Sequence, residues 1–193
     1  MESFEQVVKV FDEARGYVVT SNVKFAVQKQ TKKAAFPEFQ KHGYEIGLVG
    51  ASSGSLLLAS VKSYLGSTGV HPQGFKGLAD ETKTTHFGGY KLFNDADIRE
   101  QVIARAAEQY GYPMEQVQLA LCVGKFAYKD GSGEAKIREH LSGMVVGAGP
   151  IHVYNLGEIV EGVLEASKAS TCHDDSVIMT VKALAASGHL RDE

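Results

Sequence analysis

The sequence holds no tryptophan, only four prolines and only two cysteines in 193 residues. Two thiols, Cys122 and Cys172, are too few for a disulfide scaffold, and neither stands in a Cys-x-x-Cys pair. Reduced cysteines are expected. No uninterrupted apolar run approaches the roughly 18 to 20 residues that cross a bilayer. The opening residues Met1-Glu2-Ser3-Phe4-Glu5 lack the basic region of a signal peptide. These absences predict a soluble, cytoplasmic chain with no membrane partner. The composition is 44% hydrophobic and 22% charged, which excludes wholesale disorder and collagen-like structure. The length suits one domain, or one domain with a helical appendage.

The net charge of −3 conceals an asymmetry. Residues 1–13 carry −3, residues 14–79 carry +6 and the remainder carries −6. In the basic stretch only Glu38 and Glu45 oppose Arg15 and the lysines at 24, 29, 32, 33, 41, 62 and 76. Lysines that neutralise phosphates release condensed counterions, so this bias points toward a polyanionic partner. A solvated lysine face is the alternative.

Residues 3–15 place Phe4, Val7, Val8 and Phe11 at helical spacing. Residues 17–28 predict a strand interrupted near Ser21-Asn22, followed by a basic loop to His42. The runs 44–50 and 55–64, separated by Ala-Ser-Ser-Gly, predict an antiparallel hairpin. The Gly-rich segment 65–94 shows no periodicity, and a loop of that length is usually functional. Beyond it the pattern predicts a helix over 95–111, a buried strand over 118–126, a helix over 134–142 and a strand over 150–156. Two closing helices are predicted over 156–169 and 174–187. Three strands able to form a meander, then strands separated by helices, imply an α/β sandwich with a mixed sheet flanked by helices. The core is expected over 1–156, with 157–193 as a helical extension packed on it. That extension suits either an accessory module or a homodimer face.

The chemistry concentrates in the predicted hairpin. Its first strand reads Glu45-Ile46-Gly47-Leu48-Val49 and its second Ala59-Ser60-Val61-Lys62-Ser63-Tyr64. An acid-x-Lys spacing sets two side chains on one face of a strand, where carboxylates hold Mg²⁺ and a lysine stabilises charge at a phosphate. In this frame the chain resembles the PD-(D/E)xK nuclease superfamily, which has the restriction-endonuclease-like fold. The likeness is to the branch in which a Phe-Glu-containing helix precedes a Glu-Ile-Asp-Leu-Val strand and a Glu-Val-Lys strand.

The resemblance assigns Glu5 to the acid of the opening helix and Lys62 to the lysine. It sets Gly47 where the family has its first metal-binding Asp, and Ser60 where it has Asp or Glu. Neither replacement is a carboxylate, and Mg²⁺ prefers carboxylates and water. The implied function is nucleic-acid binding, DNA above all, with phosphodiester hydrolysis lost or weakened. Lys24, Lys29, Lys32, Lys33 and Lys41 are the candidate backbone contacts. One alternative is an active Mg²⁺-dependent endonuclease whose metal is held by Glu45 and Glu5. A second is a non-catalytic protein-interaction or regulatory module.

Other motifs carry less. Gly66-Ser-Thr-Gly-Val-His71 lacks the GxxxxGK[ST] of a nucleotide-binding loop, but the Gly-rich segment from Gly66 to Gly77 could let main-chain amides approach phosphate oxygens, with a solvated loop as the alternative. Cys172-His173-Asp174-Asp175 reads as an acidic helix start, because four adjacent residues cannot all face one ion. Cys122 lies in an apolar strand as an inert core thiol. His71, His86 and His152 are candidates for the loops near the hairpin's end.

Overall fold

A computed structural model describes residues 3–30, 39–79, 88–169 and 175–190. Lys32, Lys33, His86, Cys172, His173 and Asp174 lie outside these residues. Among the described residues, no helix is long and apolar enough to cross a membrane.

The chain opens with α1 (Ser3–Ala14), whose Phe4, Val8 and Phe11 are buried at the spacing of one helical face. Three strands follow: β1 (Val18–Gln30), β2 (Phe39–Ala51) and β3 (Leu56–Lys62). Next come α2 (Lys91–Asn94), α3 (Ala96–Tyr110), β4 (Val117–Val123) and α4 (Ser132–Ser142). The chain continues with β5 (Val145–Val146), β6 (Gly149–Pro150), β7 (His152–Tyr154), α5 (Leu156–Ser167) and α6 (Ser176–Ala186). The main sheet has the order β1-β2-β3-β4-β7, antiparallel through β3 and parallel from β3 to β7. The fold is therefore α/β with a five-stranded mixed sheet.

Helices cover both sheet faces. On one face Ile98, Val102 and Ile103 of α3, with Ile137 and Leu141 of α4, pack against Leu56, Leu58, Leu119 and Leu121. On the other, Phe4, Val8 and Phe11 of α1, Ile159 and Val163 of α5 and Ile178 of α6 pack against Leu48, Leu57, Ala59, Ala120 and Cys122. Alternation along β3 and β4 divides the two cores, and β4 is buried throughout. The Cys122 thiol is raised well above its ordinary range by this burial.

Local chemistry explains the element ends. Asp95 accepts from the Ile98 amide at the start of α3, and Gly111, at φ +74, closes it. Asn155 and Glu158 form a capping box at α5. Ser52 and Ser55 close the β2–β3 turn through a backbone bond of 3.0 Å.

The structure corrects the sequence reading in three places. Lys29 and Lys41 lie on strands rather than in a loop, because the β1–β2 ladder continues through Lys29↔Gln40 and Gln28↔Lys41 and pairs the backbone that their polarity suggested was unpaired. The expected strand 150–156 contracts to His152–Tyr154, followed at once by the cap of α5. The irregular segment contains a short 3₁₀ turn, Pro72–Gly74, and all of α2.

The interruption expected near Asn22 has a structural form. Ladder pairs run from Val18↔Ala51 to Ser21↔Leu48 and resume at Val23↔Ile46, skipping Asn22 and Gly47. Asn22 has φ +55, a left-handed conformation that asparagine tolerates better than most residues. Across this point the hairpin exchanges faces. Val19 and Leu48 belong to the α1 core, whereas Val23, Phe25 and Ile46 belong to the α3 core.

Candidate functional site

The β2–β3 ladder ends at Leu48↔Ala59. Gly47 and Ser60 are the next residues of the two strands, so both stand at the fork where the strands separate. A Cβ added to Gly47 would meet Glu5 Oε1 at 3.1 Å and Val61 Cγ2 at 3.7 Å, which directs position 47 toward α1. Ser60 and Lys62 continue the alternation of Leu56 and Leu58 toward the α3 side. There the Lys62 ammonium lies 5.8 Å from the centre of the Tyr90 ring. The structure thus brings Glu5 to Gly47 and sets Ser60 with Lys62 on the other side of the fork.

Glu45 is engaged elsewhere. Its carboxylate pairs with Lys24 at 3.4 Å, both side chains more than half exposed, and the two residues are ladder partners. Lys41 lies opposite Gln28 and shares the Lys24 side of the hairpin, while Lys29 falls on the side of Phe25 and Val27. The candidate lysines therefore occupy two faces. Among the described residues, no three His, Cys, Asp or Glu side chains gather at a point that could hold a metal. With glycine and serine at the fork, the residues present do not supply the oxygen cage that Mg²⁺ requires.

A second feature lies beyond the carboxyl ends of β3 and β4, where open α/β sheets commonly bind ligands. A cavity of about 810 Å³ is lined by Tyr64, His71, Gln73, Tyr90 and Tyr128 together with glycines of the Gly-rich segment. The two segments leaving β3 and β4 are stitched together here. The Val70 amide donates to Lys125 O and the Ala127 amide to Val70 O, both at 2.9 Å, while Lys125 Nζ donates to Ser67 O at 2.6 Å. Gly69, at φ +92, has no room for a side chain, since a Cβ would approach the carbonyl carbon of Phe126 to 2.6 Å.

The tyrosines are held in distinct ways. Tyr90 is buried, its ring 4.7 Å from that of Phe75, and it rests against Gly74, where a Cβ would fall 2.5 Å from the ring. Burial, then the neighbouring Tyr64 hydroxyl, raises the pKa of the Tyr90 phenol. Tyr128 shares a hydrogen bond with Gln73 at 2.9 Å and meets the His71 ring edge-on at 5.7 Å. Tyr64 and Tyr128 have φ +44 and +67, and a left-handed non-glycine residue is strained by about 1–3 kcal/mol.

Sequence reasoning reached His71 but passed over Tyr64, Tyr90, Tyr128 and Gln73. The available signal was aromatic residues bordering a long Gly-rich segment, as in Gly88-Gly89-Tyr90. His152 lies away from this cavity, its ring 6.0 Å from Tyr154, with its pKa lowered by burial and by Arg15.

A separate polar contact lies at the end of α1, where a buried Asp12 meets a partly exposed Arg15. Asp12 accepts a 3.1 Å bond from Arg15, whose guanidinium lies over the rings of Phe11, Tyr17 and Tyr154. The other carboxylate oxygen, Oδ2, has no hydrogen-bond partner among the described residues. Burial raises the Asp12 pKa to about 7, with Arg15 opposing and Glu13 adding.

No protein-family model matches the sequence, and no curated protein matches it at a significant level.

Proposed function

We propose that this chain is a nucleic-acid-binding domain of the PD-(D/E)xK endonuclease type, with DNA as its ligand and hydrolysis lost or weakened. The observation that carries this reading is the fork. An opening-helix carboxylate, Glu5, approaches the one β2 position where the family resemblance requires an acid, and that position is glycine. The order helix, three antiparallel strands, helix, parallel strand agrees with the frame of that resemblance.

Loss of two carboxylates removes the metal and also removes repulsion toward phosphate. Lys62 is retained. Binding without cutting is the chemistry that remains, and it draws on the exposed Lys24 and Lys41 of the long β1–β2 hairpin. An active Mg²⁺ enzyme based on Glu45 and Glu5 is the weaker reading, because Glu45 is paired with Lys24.

Restoring the acids tests the proposal. Gly47→Asp, which adds a carboxylate beside Glu5, is expected to create Mn²⁺-dependent nicking of plasmid DNA that disappears when Lys62→Ala is added, whereas Ser60→Glu, on the other side of the fork, is expected to add little. The unaltered protein is expected to retard DNA in a salt-sensitive manner without cutting it. A restored protein that folds yet neither binds Mn²⁺ nor cuts would reject the superposition of the motif.

A further inference from the structure

We infer that the cavity beyond β3 and β4 receives an unstacked nucleobase together with its phosphate. This rests on the nucleic-acid reading above and gives the base a place next to the fork, whose Lys62 it shares.

The cavity's size comes first. At about 810 Å³ it falls within the roughly 300–1,000 Å³ typical of small-ligand sites. Its chemistry then narrows the ligand. Tyr64 and Tyr128 are 39% and 46% exposed and are held on left-handed backbone. Such rings stack on any base, because every base presents a π face. Gln73, hydrogen-bonded to Tyr128, offers an amide with donor and acceptor capacity suited to a base edge.

The electrostatics select an anion. Among the described residues, no Asp or Glu lines the cavity. Two lysines stand next to its walls without lining it: the Lys62 ammonium is 5.8 Å from the centre of the Tyr90 ring, and Lys125 donates to the Ser67 carbonyl. An aromatic ring with a phosphate attached satisfies both halves of this surface. A base paired within duplex does not reach a pocket until it leaves the stack, so a single strand is the least costly source. A free mononucleotide offers the same chemistry.

The experiment uses the whole protein and three probes: a fluorescein-labelled single-stranded dodecanucleotide, the same sequence as duplex, and free dAMP. Tyr64→Gly and Tyr128→Gly are the informative variants, since glycine accepts the left-handed backbone and deletes only the ring. Thermal melts are expected to shift by no more than a few degrees. Single-strand affinity is expected to fall about tenfold in each variant, as removal of one stacking ring implies, while Tyr64→Phe retains it. A 2-aminopurine in the strand is expected to change its emission on binding to the unaltered protein, and to change it less in the glycine variants.

Affinity for dAMP that shows the same dependence on Tyr64 and Tyr128 supports the pocket and identifies the free nucleotide as its source. Equal affinity for duplex and single strand, unaffected by both ring deletions, overturns the pocket while leaving the nucleic-acid reading intact. Absence of binding to all three probes overturns both. Should Tyr64→Gly fail to fold, Gln73→Ala with the 2-aminopurine readout decides the same question.

Discussion

The Glu5 carboxylate oxygen stands 3.1 Å from where a Cβ of residue 47 would be. The approach is to the flexible end of a side chain, so Gly47→Ala is expected to change stability by less than about 1 kcal/mol. Gly47→Asp is different, because it sets two carboxylates side by side and raises the pKa of one of them. A loss of about 1–3 kcal/mol at neutral pH is expected. Adding Mn²⁺ to this variant is expected to recover stability, since a cation held by the two carboxylates only in the folded state shifts the equilibrium toward it. Thermal melts with and without Mn²⁺ check the sequence of effects; identical melts for Ala and Asp would dissociate Glu5 from position 47.

Glu45 distinguishes binding from cutting. Glu45→Gln removes a negative charge beside Lys24 and is expected to strengthen DNA binding about two- to threefold, roughly the effect of one weak surface pair. Lys24→Ala with Lys41→Ala is expected to weaken binding and to reduce the slope of log affinity against log salt by about 0.9 for each phosphate that the deleted lysines no longer neutralise. Retardation assays across a salt series measure both. Metal-dependent cleavage by the unaltered protein, abolished in Glu45→Gln, would replace the binding reading with the enzymatic one.

Asp12 makes stability depend on pH. Its pKa is raised from 3.8 to about 7, so between those values the folded protein binds more protons than the unfolded chain. Stability from this group is therefore full below about pH 4 and is lost as pH rises toward 7. At about 1.4 kcal/mol per pKa unit, the total is at most about 4–5 kcal/mol. Asp12→Asn keeps the shape without a titrating proton and is expected to flatten the profile and to be more stable than the parent at pH 8. Urea titrations at several pH values provide the comparison, and parallel profiles for the two proteins would contradict the assignment.

Arg138 ties α4 to β7 and α5. Its guanidinium donates to Glu134 at 2.8 Å, to Glu158 at 2.6 Å and to the Val153 carbonyl at 2.6 Å. Lysine presents a point charge rather than a planar fork and cannot serve three acceptors in that geometry. Arg138→Lys is expected to lose about 1–2 kcal/mol, a figure reduced by the partial exposure of the pair. Hydrogen exchange should then rise first at the start of α5, where Glu158 also serves the capping box; uniform loss across the chain would point to a different role.

Much of the architecture was readable because it is local. The α3 stripe, its Asp95 cap and its Gly111 stop follow from spacing that any helix imposes. The unbroken apolar run of β4 follows from burial on both faces. That Ser60 and Lys62 share one face was legible, since alternation is a property of one strand. What spacing could not supply was the relation between strands. Asn22 and Gly47 are separated by 24 intervening residues, and their coincidence at the face exchange arises only when the ladder forms.

By itself the sequence determined the order of the longer helices and strands, the basic bias of residues 14–79 and the absence of carboxylates at 47 and 60, because each depends on residue identity and short-range periodicity. Tertiary structure decided that Glu5 meets Gly47, that Glu45 pairs with Lys24 and that Lys29 parts from Lys24 and Lys41. It also gathered Tyr64, Tyr90 and Tyr128 around one cavity. Those relations depend on where a long ladder changes face and where two post-strand segments cross, and long-range packing sets both.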